Sequence, residues 1–191
     1  MYYSFNAKEW AEWDGSEISS NTIYLCGKNN TKMGTRLVIS PTTEKVSCTG
    51  EIESLLDYST VELGGHPIMA ERCFYMLFYN LGGLTTAPSL SATTLAPECY
   101  SNMFGRTALT TPPKLPATVM AAKCYCNMFK GCTSLTTVPS LPATTLASSC
   151  YEGMFGDCTS LTAVPALRAT TLADWCYFVM FSGCTSIQIL S

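Results

Sequence analysis

Histidine is all but missing from this chain: one, His66, in 191 residues. Charge is sparse as well, at 13%, with 11 Lys and Arg set against 14 Asp and Glu. No Cys-x-x-Cys occurs, and the tightest pair is Cys124-Tyr125-Cys126, so neither a zinc site nor a redox dithiol is expected. There is no phosphate loop, no GxSxG and no metal-spaced set of carboxylates. His66 lies in Gly64-Gly65-His66-Pro67 and reads as a solvated turn residue, and Glu51 and Glu53 read as a solvated face. These absences point away from an enzyme and from any cofactor or metal. A net charge of −3 and a pI near 5.1 supply no basic patch, so nucleic acid is not expected as a partner. No run approaches the roughly 18 continuous apolar residues of a membrane span. Met1-Tyr2-Tyr3-Ser4-Phe5 lacks the basic start and apolar run of a secretory signal. Any signal or anchor is therefore expected outside this chain.

Against these absences stands a sentence of 26 residues, LTTVPSLPATTLASSCYEGMFGDCTS at 135–160, repeated from Leu161 as LTAVPALRATTLADWCYFVMFSGCTS. It occurs earlier from Leu109, and from Leu84 in a copy one residue shorter; a degraded copy surrounds Cys73, with Phe74 and Leu77-Phe78 in the matching places. Aligned on Cys99, Cys124, Cys150 and Cys176, every copy has Leu fifteen residues earlier and Tyr next. Met-Phe follows at four and five residues. Self-similarity at this period marks a stacked array whose units bury their apolar faces on one another.

Within one copy Ala147, Cys150, Tyr151, Met154 and Phe155 recur at i, i+3, i+4, i+7 and i+8, which predicts one apolar face of a short helix. Gly131 and Gly183 stand where such helices would stop. Upstream, Leu135-Thr136-Thr137-Val138 and Thr144-Thr145-Leu146-Ala147 predict two short extended segments, separated by Pro139 and Pro142. The segments starting at Leu109, Leu135 and Leu161 are expected to form one parallel sheet at a spacing of about 4.8 Å.

LPATTLASSCYEGMFGDCTSLT resembles the repeat of the bacterial BspA-like leucine-rich repeat family, in the variant LPATTLAxxCYxxMFxGCTSLT, over about Ile52 to Ile187. Trp13-Asp14-Gly15, Ile23-Tyr24-Leu25, Gly27-Lys28-Asn29-Asn30 and residues 49–57 are similar to the leader ahead of such repeats. The resemblance implies a surface-exposed or secreted bacterial protein used in adhesion or partner binding, and similar repeats are carried by bacteriophage. The expected fold class is α/β, a leucine-rich-repeat solenoid with parallel strands and one short helix per coil. It would occupy residues 52–191 in about five coils, behind a mostly β N-terminal cap at 1–51. The expected function is a non-enzymatic cell-surface adhesion module that presents the solenoid to a protein or glycan. The alternative is a structural spacer or bacteriophage tail component without a ligand of its own, located in the virion.

In the cap, Ile23-Tyr24-Leu25, Leu37-Val38-Ile39 and Lys45-Val46-Ser47 are the extended candidates, with residues 40–43 as a separator. At the other end Ile187-Gln188-Ile189-Leu190 reads as a last strand with no polar cap after it, which leaves that end exposed, truncated or paired with another chain. Of the eleven cysteines, the two stacked columns, Cys99, Cys124, Cys150, Cys176 and Cys132, Cys158, Cys184, are expected to stay reduced as small buried apolar residues, because stacked side chains point the same way and hold their Cβ atoms too far apart for a relaxed bridge. Cys26 and Cys48 are the one pair placed to bridge.

Residues 84–191 carry four acidic and five basic side chains, so the repeat surface is mostly hydroxyl and apolar. The candidate partner-binding residues are the Thr column, Thr86, Thr111 and Thr137, together with Lys123 and Trp175 in a variable column. The ladder Tyr100, Tyr125, Tyr151, Tyr177 is expected to be structural, with its hydroxyls at the surface.

Overall fold

Each complete repeat opens on a leucine that folding withdraws from water: Leu84, Leu109, Leu135 and Leu161 are all fully buried. The computed structural model describes residues 1–14, 16–18, 20–31 and 44–188. The candidates Leu37-Val38-Ile39, the 40–43 separator, Gly15 and the final part of the trailing segment, 189–190, lie outside the described residues.

From the Ala before each marker cysteine to the residues after Met-Phe, the backbone is a ladder of tight turns. In the fourth unit the amides of Cys150, Glu152, Met154, Gly156 and Cys158 donate to the carbonyls of Ala147, Ser149, Tyr151, Gly153 and Phe155, three residues back, at 2.9–3.2 Å. The alternate amides leave the unit. Ser149, Tyr151, Gly153, Phe155 and Asp157 donate to Asp174, Cys176, Phe178, Met180 and Ser182 of the next unit at 2.7–3.0 Å. The same register joins the first unit to the second through Arg72, Phe74, Met76, Phe78 and Asn80, and it recurs between the second, third and fourth.

The short helix expected in each coil is therefore absent at these positions, and turns stand in its place. The reason lies in the backbone of every fourth residue. Ser149, Gly153 and Asp157 have φ of 53°, 57° and 59°, a left-handed conformation suited to the third position of a tight turn and incompatible with a continuing α-helix. A four-residue period puts Cys150, Met154 and Cys158 on one side, with Tyr151 and Phe155 beside them. Over so short a run, 4 and 3.6 cannot be told apart. The ladder is favoured because a two-turn helix would leave most of its backbone groups unpaired, whereas here half the amides bond within the unit and half to the neighbour.

This register stacks side chains in columns. Phe74, Tyr100, Tyr125, Tyr151 and Tyr177 form one, with ring centroids 5.7–5.9 Å apart and planes within 10°. Phe78, Phe104, Phe129, Phe155 and Phe181 form the second at 5.5–5.7 Å. Met103, Met128 and Met154 are fully buried between them. The centroids are wider apart than strand spacing because the rings are offset, the arrangement that aromatic quadrupoles prefer.

The extended segments are weaker than expected. Thr94 pairs with Val119 and Thr145 with Thr171, each a single parallel bridge. The segments at Leu109, Leu135 and Leu161 form no strand, although the Thr136 amide donates to the Thr110 carbonyl at 3.1 Å in the parallel sense. Prolines 112, 113, 139 and 165 follow within four residues of these leucines and remove the donors a longer ladder needs.

Residues before the stack form a β module. Strands β1 (Tyr2–Ser4), β2 (Ala11–Glu12) and β3 (Tyr24–Cys26) make an antiparallel sheet in the order β2-β1-β3. Strand β4 (Val46–Ser47) pairs in parallel with β5 (Leu84–Thr86), the opening of the second unit. Between β4 and β5 lies α1 (Ser54–Glu62), kinked at Asp57, whose φ of −150° is not helical. Gly27 locks the module to α1: its amide donates to the Ser54 carbonyl at 2.8 Å and its carbonyl accepts from the Tyr58 amide at 3.1 Å. A Cβ at Gly27 would overlap the Leu55 carbonyl oxygen, so only glycine allows this approach. Ile52, Leu55 and Leu56 join the same buried core as the repeat units. Among the described residues no helix is long and apolar enough to cross a membrane.

Candidate interaction surface

The Thr column is exposed. Thr86, Thr111 and Thr137 each follow a buried leucine by two residues and face water. The neighbouring Thr136 is tied down, its hydroxyl donating to the Thr110 carbonyl at 3.1 Å. Lys123 and Trp175 belong to a different segment, the first left-handed position of the turn ladder, with φ of 54° and 60°. Both are exposed, but Ser149 of the unit between them is buried, so they do not form one continuous patch.

Trp175 has different company. It meets Phe178 edge-on at 4.6 Å, and Leu172 and Val179 are exposed in the same unit. Exposure changes abruptly here. Leu141 and Leu146 of the fourth unit are 4% and 7% exposed, whereas their counterparts Leu167 and Leu172 in the fifth are 49% and 63% exposed. The sequence pattern singled out Trp175; it missed Phe178 and Val179, whose signal was an apolar residue where the preceding unit places Glu152 and Gly153.

The tyrosine ladder departs from expectation at its hydroxyls. Tyr100 and Tyr125 are buried to the ring oxygen, and neither hydroxyl has a hydrogen-bond partner among the described residues. The Tyr151 hydroxyl reaches only the Met120 sulfur at 3.9 Å. Burial, followed by the neighbouring thiols, pushes these phenols well above their ordinary range. From Phe74 to Tyr151 the column offers its ring faces to its own neighbours.

All eleven cysteines are free, including Cys26 and Cys48, the one pair considered able to bridge. Burial pushes the thiols of Cys48 and Cys150 up to about 11 and those of Cys99, Cys124 and Cys158 further, which keeps them protonated and unreactive near neutral pH. The second cysteine column donates to backbone: Cys132 Sγ to the Phe104 carbonyl at 3.0 Å, Cys158 to Phe129 at 3.2 Å and Cys184 to Phe155 at 3.0 Å. These thiols bind one unit to the one before it.

One cluster lay outside the sequence expectation. Glu53, read as part of a solvated face, is 1% exposed. Its Oε2 lies 2.7 Å from Nδ1 of His66, which is exposed as expected, and accepts from the Ser91 hydroxyl at 3.2 Å. Glu53 Oε1 and Glu51 Oε2 are buried without a hydrogen-bond partner among the described residues. The serine and imidazole meet the same carboxylate oxygen, so the arrangement ties the 63–70 loop and the second unit to α1; it does not pair a nucleophile with a base. Nothing in the sequence signalled it, because the three residues lie 13 and 38 positions apart. Among the described residues no three His, Cys, Asp or Glu side chains are placed to hold a metal ion. No family model, no curated protein and no solved structure matches the chain.

Proposed function

We propose that the chain is a non-enzymatic interaction module of the BspA-like leucine-rich repeat type, a solenoid that holds a protein or glycan partner at a bacterial surface. The observation that carries this reading is the doubled ring ladder, with planes parallel to within 10° across five units. Such stacking fixes the exposed Thr86, Thr111 and Thr137 column at a constant repeat, and a regular hydroxyl row suits repetitive contacts to a glycan or an extended chain. A rigid surface loses little entropy on binding. Screening the chain against glycans and matrix proteins tests the reading. A specific binder should lose at least tenfold in affinity when Thr111 and Thr137 are both replaced by Lys, and a screen without any specific binder counts against it.

The sparse charge of residues 84–191 favours a second reading, a spacer or virion component with no ligand of its own. On that reading the Thr111→Lys, Thr137→Lys chain assembles with its neighbours as the unmodified chain does.

A further inference from the structure

Two arginines on the outer side of the turn ladder are laid over tyrosine rings. Arg72 Cζ stands 5.4 Å from the centre of the Tyr75 ring, and Arg106 Cζ 5.8 Å from that of Tyr79. The first stack is answered from the next unit: Arg72 Nε donates to Glu98 Oε2 at 2.7 Å, and Glu98 occupies the same column one unit on. The second stack has no such answer. The residue one unit on in the Arg106 column is Gly131, which has no side chain to offer. Among the described residues no carboxylate pairs with Arg106. None pairs with the exposed Lys130 beside it either, whose carbonyl accepts from the Arg106 amide at 2.9 Å.

Glycines hold this group against the turns. A Cβ at Gly105 would lie 2.9 Å from Tyr79 Cδ2, and one at Gly131, where φ is 76°, would lie 3.1 Å from Arg106 Cγ. The ring and the arginine stem lie in the room that glycine leaves. A guanidinium stacked on a ring keeps its planar fork of donors free and loses little entropy on meeting a carboxylate. The charge around it is of one sign. The turns at 97–107 and 122–132 hold Arg106, Lys123 and Lys130 against one acid, Glu98, which Arg72 already engages. Glu152 and Asp157 of the fourth unit end this basic stretch.

We propose that Arg106, together with Lys130, binds a carboxylate-bearing glycan, a chain of uronic acids, on the turn face of the second and third units. Arg72 with Glu98 is the occupied form of the same stack within the same molecule. A peptide would find no anchor here, because neither turn segment carries an exposed large apolar side chain. Sugar hydroxyls would find the amides of Asn102 and Asn127, which share with Arg106 the left-handed positions of the ladder. The inference deepens the glycan arm of the adhesion reading and rests on it for the kind of partner, at a face other than the Thr column. The two fail separately: a screen can yield nothing at Thr86, Thr111 and Thr137 while uronate binding at Arg106 persists.

The test titrates the full chain, under reducing conditions and at low salt, with a short oligogalacturonate, its methyl ester and an oligoglutamate of equal charge. Saturable binding of the oligogalacturonate is expected at or below about 1 mM, with the other two at least tenfold weaker. Arg106→Gln should weaken binding at least tenfold. Arg106→Lys, which keeps the charge and loses the fork and the stack, should weaken it at least threefold. Arg168→Gln, a charge removed elsewhere on the repeat, should change it less than twofold. In the unmodified chain, where folding is not at issue, the amide resonances of Arg106, Lys130 and Gly131 should shift on binding while those of Thr86, Thr111 and Thr137 stay in place. Absence of binding at about 1 mM, or equal binding of the ester or the oligoglutamate, overturns the proposal. So does an Arg106→Lys chain that binds as the unmodified one does, an equal loss in Arg168→Gln, or shifts centred on the Thr column.

Discussion

Phe78 and Phe181 occupy the same column at opposite ends of the stack, and each has a ring neighbour on one side only, Phe104 and Phe155. Phe78 is 2% exposed, whereas Phe181 is only partly buried. At the first end, α1 brings Ile52, Leu55 and Leu56 into the core, and Gly27 holds the β module against α1. At the other end Leu167 and Leu172 face water although their counterparts one unit earlier are buried. The same residue type in the same column takes its burial from its neighbour, not from its own unit, as expected where each unit touches only the next.

The comparison is broken most forcefully by truncating both phenylalanines. Phe78→Ala should cost about 3–5 kcal/mol, the usual loss for a buried phenylalanine, and Phe181→Ala roughly half of that. Urea unfolding of the two variants measures the difference. Equal losses would mean that the ends are equally covered in solution.

A central unit supplies the reference between the ends. Met154 is fully buried, and Met154→Ala should cost about 2–5 kcal/mol. Glu152 lies two residues away on the outer side of the same turns, only half-buried, and Glu152→Ala should change stability by less than about 0.5 kcal/mol. The direction each side chain takes was legible in the sequence, because the column of Cys150, Met154 and Cys158 fixes the inner side whichever backbone supports it. The backbone was not legible from apolar spacing. The signal for turns lay in the polar positions Ser149, Gly153 and Asp157, residues that tolerate a left-handed φ at a regular four-residue period.

Gly27→Ala tests the closed end alone. Its Cβ would overlap the Leu55 carbonyl, so the β module must shift away from α1, at a cost of about 1–3 kcal/mol. Amide exchange should rise around α1 and stay level in the fourth and fifth units. Acid separates the ends in the same direction. The Thr60 hydroxyl first, then the Asn29 amide and the Ser59 hydroxyl, hold the Asp57 carboxyl below its ordinary 3.8. A lowered folded pKa stabilises above the unfolded value, and that contribution fades as pH falls through the folded one. Acid should therefore loosen α1 before the fifth unit, followed by NMR, and Asp57→Asn should remove this part of the response.

The smallest effect concerns the ladder itself. The Tyr125 hydroxyl is buried without a partner among the described residues, and a buried unsatisfied group is a liability of about 1–3 kcal/mol. Tyr125→Phe should leave stability unchanged or raise it by up to about 1 kcal/mol in thermal unfolding. A loss would reveal a partner for that hydroxyl. The phenol's burial escaped the sequence reading because tyrosine at the edge of an apolar stripe ordinarily turns its oxygen to water. Glu53 and His66 escaped it for a different reason: their meeting depends on the path of the 63–70 loop, which no local pattern encodes.

Native-state amide exchange on the free chain tests the central claim most directly. Tyr125, Phe129, Tyr151 and Phe155, which donate across internal interfaces, are expected to exchange slowly. Tyr177 and Phe181, the same columns at the open end, should exchange at least a hundredfold faster, while Phe178 and Met180 between them stay protected by their own turns. Uniform protection of consecutive amides through 175–183 would indicate a helix or a covered end and would contradict it.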